Sequence, residues 1–302
     1  MEGKMKQIKS NGRPRRKISA FTVINTTLLC LIAFMMFYPF WYVLTGSFMS
    51  TDESVTNIFH LIIKHPTLDA YKTFFSSINV GTHFLASFYS SVFGMIVSLI
   101  CTSMAAYALS RRGLPGKTLV MKIVLGAMLF SGGLIPLYMI IRNLKMINTW
   151  ESLWVPGLIN LYYMIIMRTY FHGIPEELLD AARIDGAGEW RIFFKIVLPN
   201  ALPILATIAL FYMVDRWNDL MSGIIYINDV NQQPLQAMLF RIINNQTGLA
   251  GTPVSSTAGS MRVTSETAGY AATIITMLPI MCVYPFLQKY FVHGMMVGSI
   301  KD

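Results

Sequence analysis

The sequence predicts an all-α integral membrane protein, a bundle of six transmembrane helices. Three observations carry that expectation. The chain is 54% hydrophobic and only 13% charged, against about 25% charged for ordinary soluble domains. Several apolar stretches exceed the roughly 20 residues a helix needs to cross about 30 Å of hydrocarbon. The loops between them alternate between basic and polar, as loops on opposite sides of a membrane do. The 302 residues fill such a bundle and leave no room for a soluble domain of about 100 residues.

The elements follow in order. Residues 1–19 form a basic tail, with Lys4, Lys6, Lys9, Arg13, Arg15, Arg16 and Lys17 against a single Glu2. Ahead of a membrane helix this run reads as a cytoplasmic anchor under the positive-inside rule rather than a nucleic-acid-binding arm. The first span, 20–46, is too long for a signal-peptide core and lacks a small-residue cleavage site, so it is expected to be retained. Further spans are expected at 85–109, 119–141, 151–172, 201–226 and 268–291, making 20–302 one transmembrane domain in the plasma membrane. Threading them with both termini inside puts most of the 24 Lys and Arg on the cytoplasmic side, including Arg111–Arg112 and Lys117–Lys122. Two long loops, 47–84 and 227–267, then lie outside. The second holds the polar run Asn244 to Gly259, read as an ordered loop with a flexible tip.

Several chemistries find no support. Cys30, Cys101 and Cys282 are scattered through apolar spans, neither a disulfide framework nor a metal cluster. The five His are equally dispersed, without ligand spacing. Gly113-Leu114-Pro115-Gly116-Lys117 is too short for a phosphate-binding loop, so any ATP is bound by another polypeptide. No catalytic constellation, cofactor site or metal site is expected.

The informative segment is a charged, amphipathic insert at 173–200. Pro175 suits a helix start, and Glu176 and Glu177 favour the positive end of its dipole. Leu178, Leu179, Ala182 and Ile184 supply an apolar side. Asp185-Gly186 breaks the helix, since Gly takes positive φ readily. A second short helix carries Trp190, Phe193, Phe194 and Val197, and Pro199 ends it at the membrane surface. The expected result is a compact knob whose small-residue corner (Ala181, Ala182, Gly186 and Ala187) admits another protein closely.

This insert resembles the EAA loop of binding-protein-dependent ABC importer permeases: Glu-Ala-Ala, three residues, Gly, nine residues, Ile, any residue, Leu-Pro. The matching residues are Asp180, Ala181, Ala182, Gly186, Ile196, Leu198 and Pro199. Asp180 departs from the usual Glu, keeping the carboxylate on a shorter stem. The run from Ser103 to Arg112, then Ser131 to Pro136, Asn148-Thr149-Trp150, Met167 to Phe171 and the His293–Lys301 terminus are similar in order to the carbohydrate branch. That branch is related to the smaller permease subunit of maltose importers, and the terminus is similar to its LplC/YtcP-type members. The resemblance implies the type I importer fold and pairing with a second, non-identical permease. It also implies two cytoplasmic ATP-binding subunits and an extracytoplasmic solute-binding protein. The ATPase-coupling residues it points to are Glu177, Asp180, Ala181, Ala182, Asp185, Gly186, Ala187, Leu198 and Pro199.

The fifth span contains Asp215-Arg216-Trp217-Asn218-Asp219. A helix starting near Pro203 puts Asp215 about 18 Å along its axis at 1.5 Å per residue. Continued helical spacing would place Asp215, Asn218 and Asp219 on one face, with Arg216 in reach of Asp219. Charges at that depth line a cavity or pair with a partner. Both roles stay open: a translocation pathway of Asp215, Arg216, Trp217, Asn218 and Asp219, or a structural ion pair. The function expected is alternating-access import of an oligosaccharide or related glycan, with no bond chemistry in this chain. Import of another solute such as a peptide, an integral-membrane enzyme and a stand-alone secondary transporter are the competing readings. The last should show two symmetric halves, and no internal repeat is visible.

Overall fold

The computed structural model describes residues 20–77, 79–111, 113–130, 132–245 and 265–299, with 286–299 as backbone alone. The basic tail, the loop tip 246–264 and residues 300–302 lie outside the described residues, as do the side chains of the terminal motif. The described chain is helical, and its only strand-like feature is an isolated bridge between Met49 and Pro66.

Helix α1 (Ala20–Phe48) leads into two short helices, α2 (Thr51–Thr56) and α3 (Asp69–Ser77). Helix α4 (Val80–Phe88) passes through a π turn at Tyr89–Phe93 into α5 (Gly94–Ser110). Together they make one 31-residue apolar helix. Helices α6 (Lys117–Leu129) and α7 (Leu134–Asn143) follow, then a 3₁₀ turn at Trp150–Leu153 and α8 (Leu161–His172). The insert comprises α9 (Glu176–Ile184), α10 (Glu189–Ile192), a π turn at Phe193–Val197 and α11 (Leu198–Asn200). Then come α12 (Leu202–Trp217), α13 (Leu220–Tyr226), a 3₁₀ turn at Val230–Gln232, α14 (Leu235–Asn245) and α15 (Ser265–Ser299).

Three helices are long and apolar enough to cross a membrane, and up to five if each bent pair counts as one span. The third, fourth and fifth expected spans are therefore not continuous helices. The third breaks between α6 and α7, around the helix-disfavouring Gly132-Gly133 pair. The fourth is helical only from Leu161, where Asn160 caps α8 by accepting from the Tyr162 and Tyr163 N–H groups. The fifth turns through 84° where the insert meets α12. Its helix stops again at Trp217, because Asn218 and Asp219 favour caps over helix interiors. Hydropathy averaged over a window does not register such breaks. In a membrane they persist where protein satisfies the freed backbone groups.

The core lies where α5, α8, α12 and the insert converge. Ala106, Met167, Phe171, Leu179, Ile192 and Val197 are buried together there. Tyr212 joins three elements inside it: its hydroxyl lies 2.6 Å from Thr102 Oγ1 and accepts the Asn160 N–H at 2.8 Å. The far end of the bundle is closed by α14, seated on α4. His83 Nδ1 lies 2.6 Å from the Gln233 carbonyl, and Ser87 Oγ accepts the Leu235 N–H at 2.8 Å. At that same end Glu53 accepts the Lys64 and His65 N–H groups at 2.6 and 2.9 Å.

Candidate coupling and translocation sites

The insert forms a tight corner whose backbone explains its sequence. Helix α9 begins after Pro175, which sits at the N-cap rather than inside the helix, and its first turn carries Glu176 and Glu177. Past Ile184 the Gly186 N–H bonds the Arg183 carbonyl at 3.0 Å and the Ala187 N–H bonds the Ala182 carbonyl at 2.9 Å. That pair of bonds is a Schellman motif, and it requires a left-handed residue at Gly186, found at φ +79°. Ala182 and Ala187 pack against the core side of the corner, while Ala181, Asp185 and Gly186 are exposed.

Beyond the corner the second arm winds as α10, the π turn and α11. Pro199 lies inside α11 rather than ending the arm; the turn comes at Ala201. Proline has no N–H and crowds the carbonyl one turn before it, and the chain absorbs this in the widened turn at Phe193–Val197. Leu198 is partly buried against the core and Pro199 is exposed. The apolar residues divide differently from the expected pattern. Leu179, Ile192, Phe193 and Val197 are buried, whereas Ile184 is 87% exposed and Leu178, Trp190 and Phe194 also face outward. Ile184 follows the turn out because the helix ends on it.

Asp180 has a partner within the chain. Arg183 donates to Asp180 at 2.8 Å and to Glu189 at 3.0 Å, and Tyr107 of α5 donates its hydroxyl to Glu189 at 2.6 Å. The clamp ties both arms of the corner to each other and to α5. Arg183, Glu189 and Tyr107 went unremarked in the sequence. The i,i+3 spacing of Asp180 and Arg183 could have signalled the first pair; the two longer links have no local signature.

The charged group of α12 is split by the break at Asn218. Asp215 is exposed and accepts the Tyr163 hydroxyl at 2.5 Å. Asn218 is exposed and accepts from the Gln236 amide at 3.3 Å. Asp219 is not on their helical face: it caps α13 by accepting the Ser222 N–H at 3.1 Å. Arg216 turns the other way and is only 8% exposed. It donates to Ser98 Oγ at 2.6 Å and to the Trp154 and Gly157 carbonyls at 3.3 and 3.2 Å, and forms no ion pair with Asp219. A Cβ on Gly94 would fall 2.0 Å from its Nη1, so the guanidinium occupies space that only glycine leaves open. Trp217 is also buried, donating to the Thr276 carbonyl at 3.2 Å among Phe74, Leu235, Met238 and Ala272. The structure therefore places Asp215 and Asn218 at an accessible surface and Arg216 and Trp217 in the packing behind it.

Residues 123–297, which include the insert and the α12 break, match the family model described as "Binding-protein-dependent transport system inner membrane component". The chain belongs to this family. It is 37% identical to the polygalacturonan/rhamnogalacturonan transport system permease protein YtcP of Bacillus subtilis, over 93% of this chain and 98% of that protein. Its identity to protein LplC of the same organism is also 37%, covering 93% and 95%. Among solved structures it is similar to a bacterial ABC transporter involved in the import of the acidic polysaccharide alginate, with a TM-score of 0.84 and 28% identity, covering 93% of this chain and 99% of that one. The permease is thus a multi-pass membrane protein of a transport system, and the insert lies within the segment its family model defines.

Proposed function

We propose that this permease moves an oligosaccharide or related glycan into the cytoplasm by alternating access, driven by separate ATP-binding subunits. The glycan assignment is supported by the names of its relatives, which include polygalacturonan/rhamnogalacturonan transport and diacetylchitobiose uptake permeases. The observation that carries the coupling role is the insert itself: a corner fixed by the Schellman turn and the Asp180–Arg183–Glu189 clamp, presenting Leu178, Ile184 and Trp190 outward. A rigid knob with an uncovered apolar face suits docking into a cleft of an ATPase subunit. Glu177, Asp180, Ala181, Ala182, Asp185, Gly186, Ala187, Leu198 and Pro199 belong to this handle.

The remaining assembly follows from the same reading. Both termini and 173–200 are cytoplasmic, a second, non-identical permease completes the pathway, two ATPase subunits engage the knobs, and a binding protein delivers solute outside. Helix α1 buries only Thr45, Gly46 and Ser47 and α6 buries nothing; lipid and the sister permease are the natural cover for them. Asp215, Asn218 and Asp219 supply acceptors for sugar hydroxyls, while Arg216 and Trp217 belong to the packing behind them. Reconstitution with the sister permease, ATPases and binding protein tests the assignment. Glycan-stimulated ATP hydrolysis is expected, and stimulation by peptides but by no glycan would replace the solute class.

A further inference from the structure

The clamp on the insert continues into the membrane bundle, and we infer that Tyr107 and Glu189 form the link through which motion of the knob reaches α5. This rests on the coupling role proposed for the insert. Tyr107 is buried near the end of the 31-residue helix, and its hydroxyl donates to Glu189 Oε2 at 2.6 Å. Glu189 Oε1 is taken by Arg183, which also holds Asp180, so one carboxylate joins both arms of the corner to α5. Beside this bond α5 and the insert touch through the rings of Tyr107 and Phe193, 5.1 Å apart. A cavity of about 760 Å3 opens next to that contact, lined by Met104, Leu114, Pro115, Trp190 and Phe193 among others. A ring contact resists approach but not separation, so the directional bond is what carries a pull on the knob into α5. The ring is held on its other contact by Arg111, 4.7 Å over its face. Tyr107 is a positioning residue, and removing its hydroxyl leaves its packing intact.

Tyr107→Phe is the test, in the full complex with sister permease and ATPases. Glu189 is largely exposed and stays solvated, so the variant should fold and assemble. Spin labels at Leu114, just past the end of α5, and at Arg191, exposed on the second arm, report the separation of the two. In the wild type their separation should be the same without nucleotide and after trapping with ATP and vanadate, because knob and α5 move together. In Tyr107→Phe the trapped state should show a changed, broadened separation, and ATP turnover per translocation cycle should rise about tenfold, the size of one hydrogen bond to a charged group. Glu189→Ala, which also frees Arg183, should be at least as severe, and the double variant no worse than Glu189→Ala alone. A wild-type separation that changes on trapping, or a Tyr107→Phe variant identical to wild type, overturns the link. Gly186→Trp separates this from the coupling role. If it traps normally, the knob is not the coupling element; if it uncouples while Tyr107→Phe does not, only the Tyr107–Glu189 link is lost.

Discussion

Asp215 and Arg216 are neighbours in sequence and differ in every property that matters to function. The carboxylate sits at an accessible surface bonded to Tyr163, whereas the guanidinium is enclosed by carbonyls, Ser98 and the bare backbone of Gly94. Sequence pattern alone treated them as one polar group, because burial depends on which neighbours the fold brings to each side. Trp217 shows the same point, since its ring fills a contact among α3, α14 and α15. Trp217→Ala should therefore cost about 3–5 kcal/mol of stability, read as a lower unfolding temperature of the purified complex, while solute preference is unchanged. Asp215→Asn should do the reverse, altering solute affinity with assembly intact. Glu53 offers a pH test. The Lys64 N–H, then that of His65, holds its carboxyl below the ordinary value of 4.5 despite burial. Its stabilisation is thus present above that value and lost as pH falls through the lowered one. Protease cleavage within 57–68 should rise from about pH 5 to about pH 3, and Glu53→Gln should cleave readily at both.

At the scale of elements, the corner of the insert was the most legible part of the chain. Ile-Asp-Gly-Ala after an amphipathic run names a helix stop with a left-handed glycine, and Gly186 adopts it. The clamp behind it was not legible, because Arg183, Glu189 and Tyr107 meet only once α9, α10 and α5 are placed. The breaks were half legible. Asn218-Asp219 is a recognisable capping pair, but it lies inside an apolar run whose hydropathy suggested one continuous helix. Gly186→Val should cost about 1–2 kcal/mol in the turn, from the left-handed penalty on a side chain. Nothing lies within 4 Å of the Cβ position, so the loss is in turn geometry and not in packing. The expected result is a permease that inserts and assembles but shows little solute-stimulated ATP hydrolysis. Gly186→Asn, which tolerates that backbone, should retain most of it. Equal activity in the two variants would detach the backbone turn from coupling.

For the whole molecule the open question is which way it sits in the membrane. The insert and the α2–α3 and α14 segments occupy opposite ends of the 31-residue helix Val80–Ser110. Fixing one end therefore fixes the other. Charge bias predicts the insert inside, in which case the outward-facing Ile184 on it meets cytoplasm or an ATPase, never the cell exterior. Replacing Cys30, Cys101 and Cys282 and adding single cysteines at Ile58, Asn231 and Ile184 turns this into a measurement, since all three positions are exposed. A membrane-impermeant maleimide should label positions 58 and 231 in intact cells and leave 184 unmodified. Once the cells are opened, position 184 should react in a strain lacking the ATPase subunit and be protected where that subunit is present. Labelling of 184 from outside would invert the topology. Equal labelling of 184 with and without the ATPase would preserve the topology but remove this face of the knob from the docking surface.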